Sequence, residues 1–144
     1  AVRCISGSTS KKRLFHELAD IASGLYGIDT CLSVEALMAR ENLGPPGVGN
    51  GVALPHARVP GLDHVVGCFV RLDKPLDFEA VDRQPVDLVF GLFAPQAAGV
   101  EHLKALALVA RTLREPAVCE KLRSNRVPAA LHGILAEMQT SAAA

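Results

Sequence analysis

Apolar positions along the chain fall into two periods. From Lys11 onward, Leu14, Leu18, Ile21 and Leu25 recur at spacings of four, three and four, which predicts one face of a helix. Ser10 is placed to cap that helix, and Gly24 or Gly27 to end it. A second helix is expected from Val34 to about Leu43, with Ser33 as N-cap and Glu35 in the first turn; it stops at Gly44-Pro45-Pro46-Gly47, the strongest breaker cluster in the chain. The period then changes. Cys4-Ile5 closes a short strand near the start. Val52-Ala53-Leu54 reads as a short strand cut by Pro55, Val65 to Leu72 as a β-branched strand, and Val86 to Phe93 as a buried strand closed by Ala94-Pro95. Between the last two, Pro75 to Pro85 is a polar connection with room for a short strand at Leu76 to Phe78. Helical spacing returns at Glu101, with Leu103, Leu106, Val109, Ala110 and Leu113 on one stripe. Pro116 opens a further helix faced by Val118 and Leu122, and Pro128 opens a last one with Leu131, Ile134, Leu135 and Met138 inward. Two helices, a block of strands and three helices are therefore expected. Strands this apolar need cover on both faces.

Length and composition narrow the functions. At 144 residues the chain has the size of one domain with one core, and no repeat or linker divides it. With 49% hydrophobic residues it can offset the entropy of folding. Fifteen Lys and Arg balance fifteen Asp and Glu, so the protein lacks the basic excess that nucleic acid or anionic membranes require. Five Phe, one Tyr and no Trp leave little for stacking bases. No run approaches the roughly 18 apolar residues of a membrane span, and Ala1-Val2-Arg3-Cys4 carries no signal core. The start also lacks Met, so part of the native N-terminus is expected to be missing. Cys4, Cys31, Cys68 and Cys119 stand singly, without C-x-x-C spacing. They are expected to be reduced, small buried hydrophobes of a cytoplasmic protein.

The chemistry concentrates between Gly44 and Arg58. Gly47, Gly49 and Gly51 can adopt positive φ and Asn50 tolerates it, so consecutive N–H groups there can converge on an anion. Glycines that merely turn the chain are the commoner use of such a segment, and neither a dinucleotide fingerprint nor a P-loop is present. His56 follows a strand and a proline. A rigidly held neutral imidazole beside an anion nest suits a phosphoryl acceptor; from spacing alone a structural or surface histidine is the commoner case. His102, at the start of the Glu101 helix, is either a pocket-edge histidine or a solvated first-turn residue. Arg40, near the end of the second helix, is either a phosphate ligand or a surface cation favoured by the helix dipole. His16, His64 and His132 have weaker cases. No His-x-x-x-His or Cys/His cluster suggests a metal, and no cofactor motif is present. Lys11-Lys12-Arg13 and the cluster Lys121, Arg123 and Arg126 read as solvated faces.

Gly47-Val48-Gly49-Asn50-Gly51-Val52-Ala53-Leu54-Pro55-His56 closely resembles the active-site signature of phosphotransferase-system enzyme IIA domains of the fructose/mannitol type, with the nitrogen-regulatory branch nearest. Ala39-Arg40-Glu41, the segment Pro75 to Leu88, Glu101-His102-Leu103-Lys104-Ala105-Leu106 and Ala110-Arg111-Thr112-Leu113-Arg114 support the match, which runs from about Ser10 to Glu137. The resemblance implies an α/β fold: a mixed β-sheet flanked by helices on both faces. It implies that His56 accepts a phosphoryl group from an HPr-like phosphohistidine carrier. His102 would be the second pocket histidine and Arg40 the neutralising cation, with Gly49, Asn50 and Gly51 lining the phosphate site through their backbones. Two positions depart from the family pattern. Pro45-Pro46 stands where Ser-Thr is common, which removes two hydroxyls and two N–H donors, and Ala57 stands where Gly is common.

Three functions follow. The first is a regulatory phosphoryl carrier of the nitrogen-related system, signalling by phosphorylation state to target proteins such as potassium transporters or regulators. The second is a sugar-specific IIA that passes phosphate to a IIB domain. The third is a binding protein that kept the fold without phosphorylation, against which His56, His102 and Arg40 all count.

Overall fold

The computed structural model describes residues 2–5, 10–41, 47–49, 51–76, 85–96 and 100–124. Strand β1 (Val2–Ile5) is followed by helices α1 (Lys11–Tyr26) and α2 (Thr30–Glu41). Strands β2 (Gly47–Gly49), β3 (Val52–Ala53), β4 (His56–Val59), β5 (Val66–Leu76) and β6 (Val86–Pro95) come next, then α3 (Val100–Leu113) and α4 (Pro116–Arg123). The last helix expected from Pro128 and the segment Asp77-Phe78 lie outside the described residues.

Local chemistry explains where the helices begin and end. Ser10 caps α1 as expected, its hydroxyl accepting from the Arg13 N–H at 3.2 Å. Gly27 closes α1 in the left-handed region (φ 73°), its N–H donating to the Ser23 carbonyl. The start of α2 differs from expectation. Asp29, not Ser33, supplies the cap: its carboxylate accepts from the Leu32 N–H at 2.8 Å. Ser33 sits one turn inside and donates its hydroxyl to the Asp29 carbonyl at 2.6 Å. Both residues are good caps, and the earlier one lengthens the helix. Leu25 also departs from its helical stripe. It is 61% exposed, because Ala22 and Tyr26 are the residues that the end of α1 turns to the core.

The sheet is mixed, in the order β1-β5-β6-β3-β2, with β4 also on β6. β5 and β6 pair antiparallel at its centre, while β1 runs parallel to β5. β3 and β4 both run parallel to β6, Ala53 opposite Val89 and His56 opposite Leu92. They are one strand in a single register, interrupted at Leu54-Pro55 because proline has no N–H for the ladder. The Pro55 carbonyl still accepts from the Leu92 N–H at 2.9 Å. β4 was not foreseen from its own residues: His-Ala-Arg-Val has little apolar pattern, and its partner lies far along the chain. β2 likewise turns part of an expected loop into a short strand antiparallel to β3.

Alternation along the strands builds a core on each face. Val66, Cys68, Val70 and Leu72 of β5, Val89 and Phe93 of β6, and Ala57 and Val59 of β4 pack against Leu14, Leu18 and Ile21 of α1 and Leu37 of α2. On the other face Val52, Leu54, Phe69 and Leu88 pack against Leu113 of α3 and Val118, Cys119 and Leu122 of α4. Each fully buried Val, Leu, Ile or Phe among them contributes about 1.5–3 kcal/mol. Gly91 lets α1 lie close: a Cβ there would meet Leu18 Cδ2 at 3.1 Å. The cysteines divide. Cys68 and Cys119 are buried in these cores as expected, whereas Cys31 is exposed on α2. No helix among the described residues is long and apolar enough to cross a membrane.

Candidate active site

The site forms where the β3–β4 strand is interrupted. Ala57 and Val59 point to the α1/α2 core, so His56, one residue before Ala57, faces the opposite side at the sheet's edge. It is half-buried. Its ring folds back over Pro55, and Nδ1 lies 2.9 Å from the Leu54 carbonyl oxygen. A carbonyl only accepts, so Nδ1 carries the proton and Nε2 the lone pair. That lone pair meets Arg40: the guanidinium Nε–H donates to His56 Nε2 at 3.2 Å. Arg40 lies in the last turn of α2, and α2 packs on β4 through Leu37, which brings the arginine to the sheet edge.

These contacts act on the imidazole's protonation. Burial pushes the His56 pKa below its ordinary 6.5; the Leu54 hydrogen bond works against this, and the Arg40 charge adds to the lowering. The ring is therefore neutral at pH 7. The unfolded chain holds this proton at higher pH than the folded one. The contribution of His56 to stability is thus greatest above pH 6.5 and declines as pH falls below it. An NMR titration of the ring is expected to give a midpoint under 6.5, and Arg40→Gln, which removes the cation, should raise it. A midpoint at or above 6.5 in the native protein would contradict this electrostatic picture.

The other sequence candidates are placed as follows. Gly49 ends β2, Asn50 lies outside the described residues, and Gly51 opens into β3. Gly51 is buried and has φ +79°, so it must be glycine on conformational grounds. Space requires it too. A Cβ would come within 2.5 Å of Arg123 Nη2 and 2.9 Å of Asp87 Oδ1. His102 is the third residue of α3, which begins at Val100, one residue before the expected Glu101; its side chain lies outside what the structure describes. Pro45 and Pro46 also lie outside the described residues, whereas Ala57 is buried in the core on the face away from His56. His16 and His64 are exposed, and His64 pairs with Asp63.

Sequence inspection missed two features. The Leu54 carbonyl is a backbone group without any residue signature. Arg123, taken for part of a solvated cluster, instead grips Asp87 through Nε and Nη2 at 2.8 and 2.9 Å. The signal for it was available: an aspartate inside the apolar run Val86 to Phe93 needs a partner.

A mixed sheet with helices on both faces is the fold shared with solved IIA structures, and the chain belongs to that family. Residues 2–138 match the family described as "Phosphoenolpyruvate-dependent sugar phosphotransferase system, EIIA 2". A nitrogen regulatory protein of Bradyrhizobium diazoefficiens is 48% identical over 134 residues, covering 93% of this chain and 88% of that one. A nitrogen regulatory protein of Pseudomonas aeruginosa is 41% identical, covering 90% and 85%. The crystal structure of nitrogen regulatory protein IIA-Ntr from Neisseria meningitidis superposes with a TM-score of 0.85 at 35% identity, covering 93% and 91%. The mannitol IIA of Escherichia coli shares the fold, with a TM-score of 0.75 at 20% identity over 93% and 94% of the two chains.

Proposed function

We propose that the protein is a phosphoryl carrier and regulator of the nitrogen-related phosphotransferase system, working in the cytoplasm. The observation that carries this is the Arg40–His56 contact, with His56 held by Leu54 so that Nε2 is its nucleophilic atom. An HPr-like protein bearing phosphohistidine is the donor. The Nε2 lone pair attacks phosphorus as the carrier's P–N bond breaks, and the electron pair of that bond returns to the carrier imidazole. Nδ1 keeps its proton on the Leu54 carbonyl throughout. Arg40, displaced from Nε2 by the incoming group, remains within reach of its oxygens and neutralises their charge. Gly49, Asn50 and Gly51 offer backbone groups to the same oxygens, and His102 at the start of α3 is the second histidine of the pocket.

The regulatory role is supported by relatives named nitrogen regulatory proteins at 48% and 41% identity. The targets are proteins that distinguish the phosphorylated from the free state. Incubation with phosphoenolpyruvate and the upstream carriers, followed by mapping of the acid-labile phosphate, is expected to place one phosphoryl group on His56. No uptake, or uptake elsewhere, would defeat the proposal. His102→Ala should slow uptake roughly tenfold while leaving the acceptor intact; an unchanged rate would remove His102 from the pocket.

A sugar-specific role has its own support. A fructose-specific EIIA component of Haloferax volcanii is 33% identical over 76% of this chain. Mixing the phosphorylated protein with fructose- and mannitol-type IIB domains separates the two, because rapid transfer to either would favour the sugar-specific role.

A further inference from the structure

We infer that Asp87, Arg123 and Arg71 form a clamp that holds Gly51, and with it the start of the β3–β4 strand that carries His56, and that they are positioning residues of the His56 site. This inference rests on the phosphoryl-carrier function proposed above.

The clamp has three connected parts. The first is a bulge in β6. The Gly51 carbonyl accepts from two consecutive N–H groups, those of Asp87 at 3.0 Å and Leu88 at 3.1 Å. Two residues opposite one acceptor is the mark of a bulge, which re-aims the side chains beside it. The cores record the shift: Val86 belongs to the α1/α2 face and Leu88 to the α3/α4 face, although residues two apart in a regular strand share one face. The second part is the ion pair. The bulge directs the Asp87 carboxylate to the Arg123 guanidinium, which donates from both Nε and Nη2. Their side chains are 21% and 36% exposed, so water screens the pair only partly. Pairing with Asp87 raises the already high Arg123 pKa. The third part is Arg71, whose side chain is 11% exposed. It donates from Nη2 to the Arg123 carbonyl at 2.7 Å and from Nη1 to Asp73, which ties the end of α4 to β5.

Gly51 lies against this assembly without a side chain between them. Its α-carbon is backed by the Asp87–Arg123 pair, and its carbonyl is held by the bulge. Gly51 leads directly into β3, and β3 and β4 run along β6 in one register, Val52 opposite Leu88 and His56 opposite Leu92, so holding Gly51 fixes the start of the strand that carries His56. A planar bidentate guanidinium holds a carboxylate in orientation as well as distance, which an ammonium does not. A charge pair at this depth is weak evidence for stability as such. Its place directly under the loop glycine is what assigns it a positioning role.

The test compares Asp87→Asn, Arg123→Gln and Arg123→Lys with the native protein in the full chain. Phosphate transfer is followed at varied carrier concentration, and amide hydrogen exchange is read residue by residue in the unphosphorylated protein. Asp87→Asn and Arg123→Gln are expected to lower the rate at saturating carrier on the order of tenfold. The half-saturating carrier concentration should stay within about twofold, since carrier contact is unaffected. Exchange at the Asp87 and Leu88 amides should accelerate, while Val70 and Val89 in the sheet centre keep their protection. Arg123→Lys should recover only part of the rate, because an ammonium keeps the charge but not the orientation. Native rates in both neutral variants, or faster exchange spread evenly over the whole sheet, would overturn the clamp. Should Arg123→Gln fail to fold, Asp87→Asn and Arg123→Lys decide by the same two readouts. If the native protein takes no phosphate, the carrier function fails, and unaltered exchange at Asp87 and Leu88 in the variants would separately overturn the clamp.

Discussion

His56→Ala is expected to abolish phosphoryl uptake, leaving the intact mass of the protein unchanged after incubation with a phosphorylated carrier. The expectation follows from the disposition of one ring. Nδ1 is committed to the Leu54 carbonyl, so the lone pair available for the proposed transfer is on Nε2. Alanine leaves no nucleophile there, and His64 is exposed and paired with Asp63. The fold should survive. His56 begins β4 at the sheet edge, half-buried, and the core contacts of that strand belong to Ala57 and Val59. The histidine also contributes less to stability as pH falls, so its loss should cost least below pH 6.5. Loss of uptake with a native-like melting transition is the expected pair of results. Full labelling of the folded variant would move the acceptor to another residue.

Arg40→Ala should lower the transfer rate about a hundredfold without removing the acceptor, a loss typical of a preorganised group that faces developing charge. Arg40 donates to Nε2, and in the proposed transfer the same guanidinium is the cation beside the incoming phosphoryl group. Arg40→Lys keeps the charge but loses the planar fork, so an intermediate rate is expected. The variant separates charge from geometry. If Lys restores the full rate, charge alone suffices; if it behaves as Ala does, bidentate contact is required. A native rate in Arg40→Ala would place Arg40 outside the transfer step and leave it a helix-terminal cation, favourable at the end of α2 through the dipole alone.

The elements legible beforehand are those specified by near neighbours. α1 has a serine at its cap, apolar residues at helical spacing and a glycine in the left-handed region at its end, all within a few residues of one another. α4 announces itself through Pro116 in its first turn and Val118 and Leu122 on one face. β5 and β6 are apolar enough to require burial on both sides. Misjudged elements were those with a competing local signal. Asp29 and Ser33 each satisfy the chemistry of a cap. Helical spacing alone put Leu25 inside, although Ala22 and Tyr26 take the core-facing positions there.

The sequence by itself determined the family, through the ordered motif from Gly47 to His56 with Glu101-His102-Leu103 beyond it, and helices α1 and α4, through local chemistry and period. It also marked out His56 and Arg40 as residues worth bringing together. Only the tertiary structure decided that they meet, which ring nitrogen faces the guanidinium, and that Asp87 and Arg123 stand beneath Gly51. The physical reason is range. A cap or a helical stripe is settled over a turn or two of chain. The Arg40–His56 contact instead depends on how α2 packs across β4, and the Asp87–Arg123 pair on where α4 ends against a bulged strand. Such placements are set by two cores packing at once, and no local pattern of residues records them.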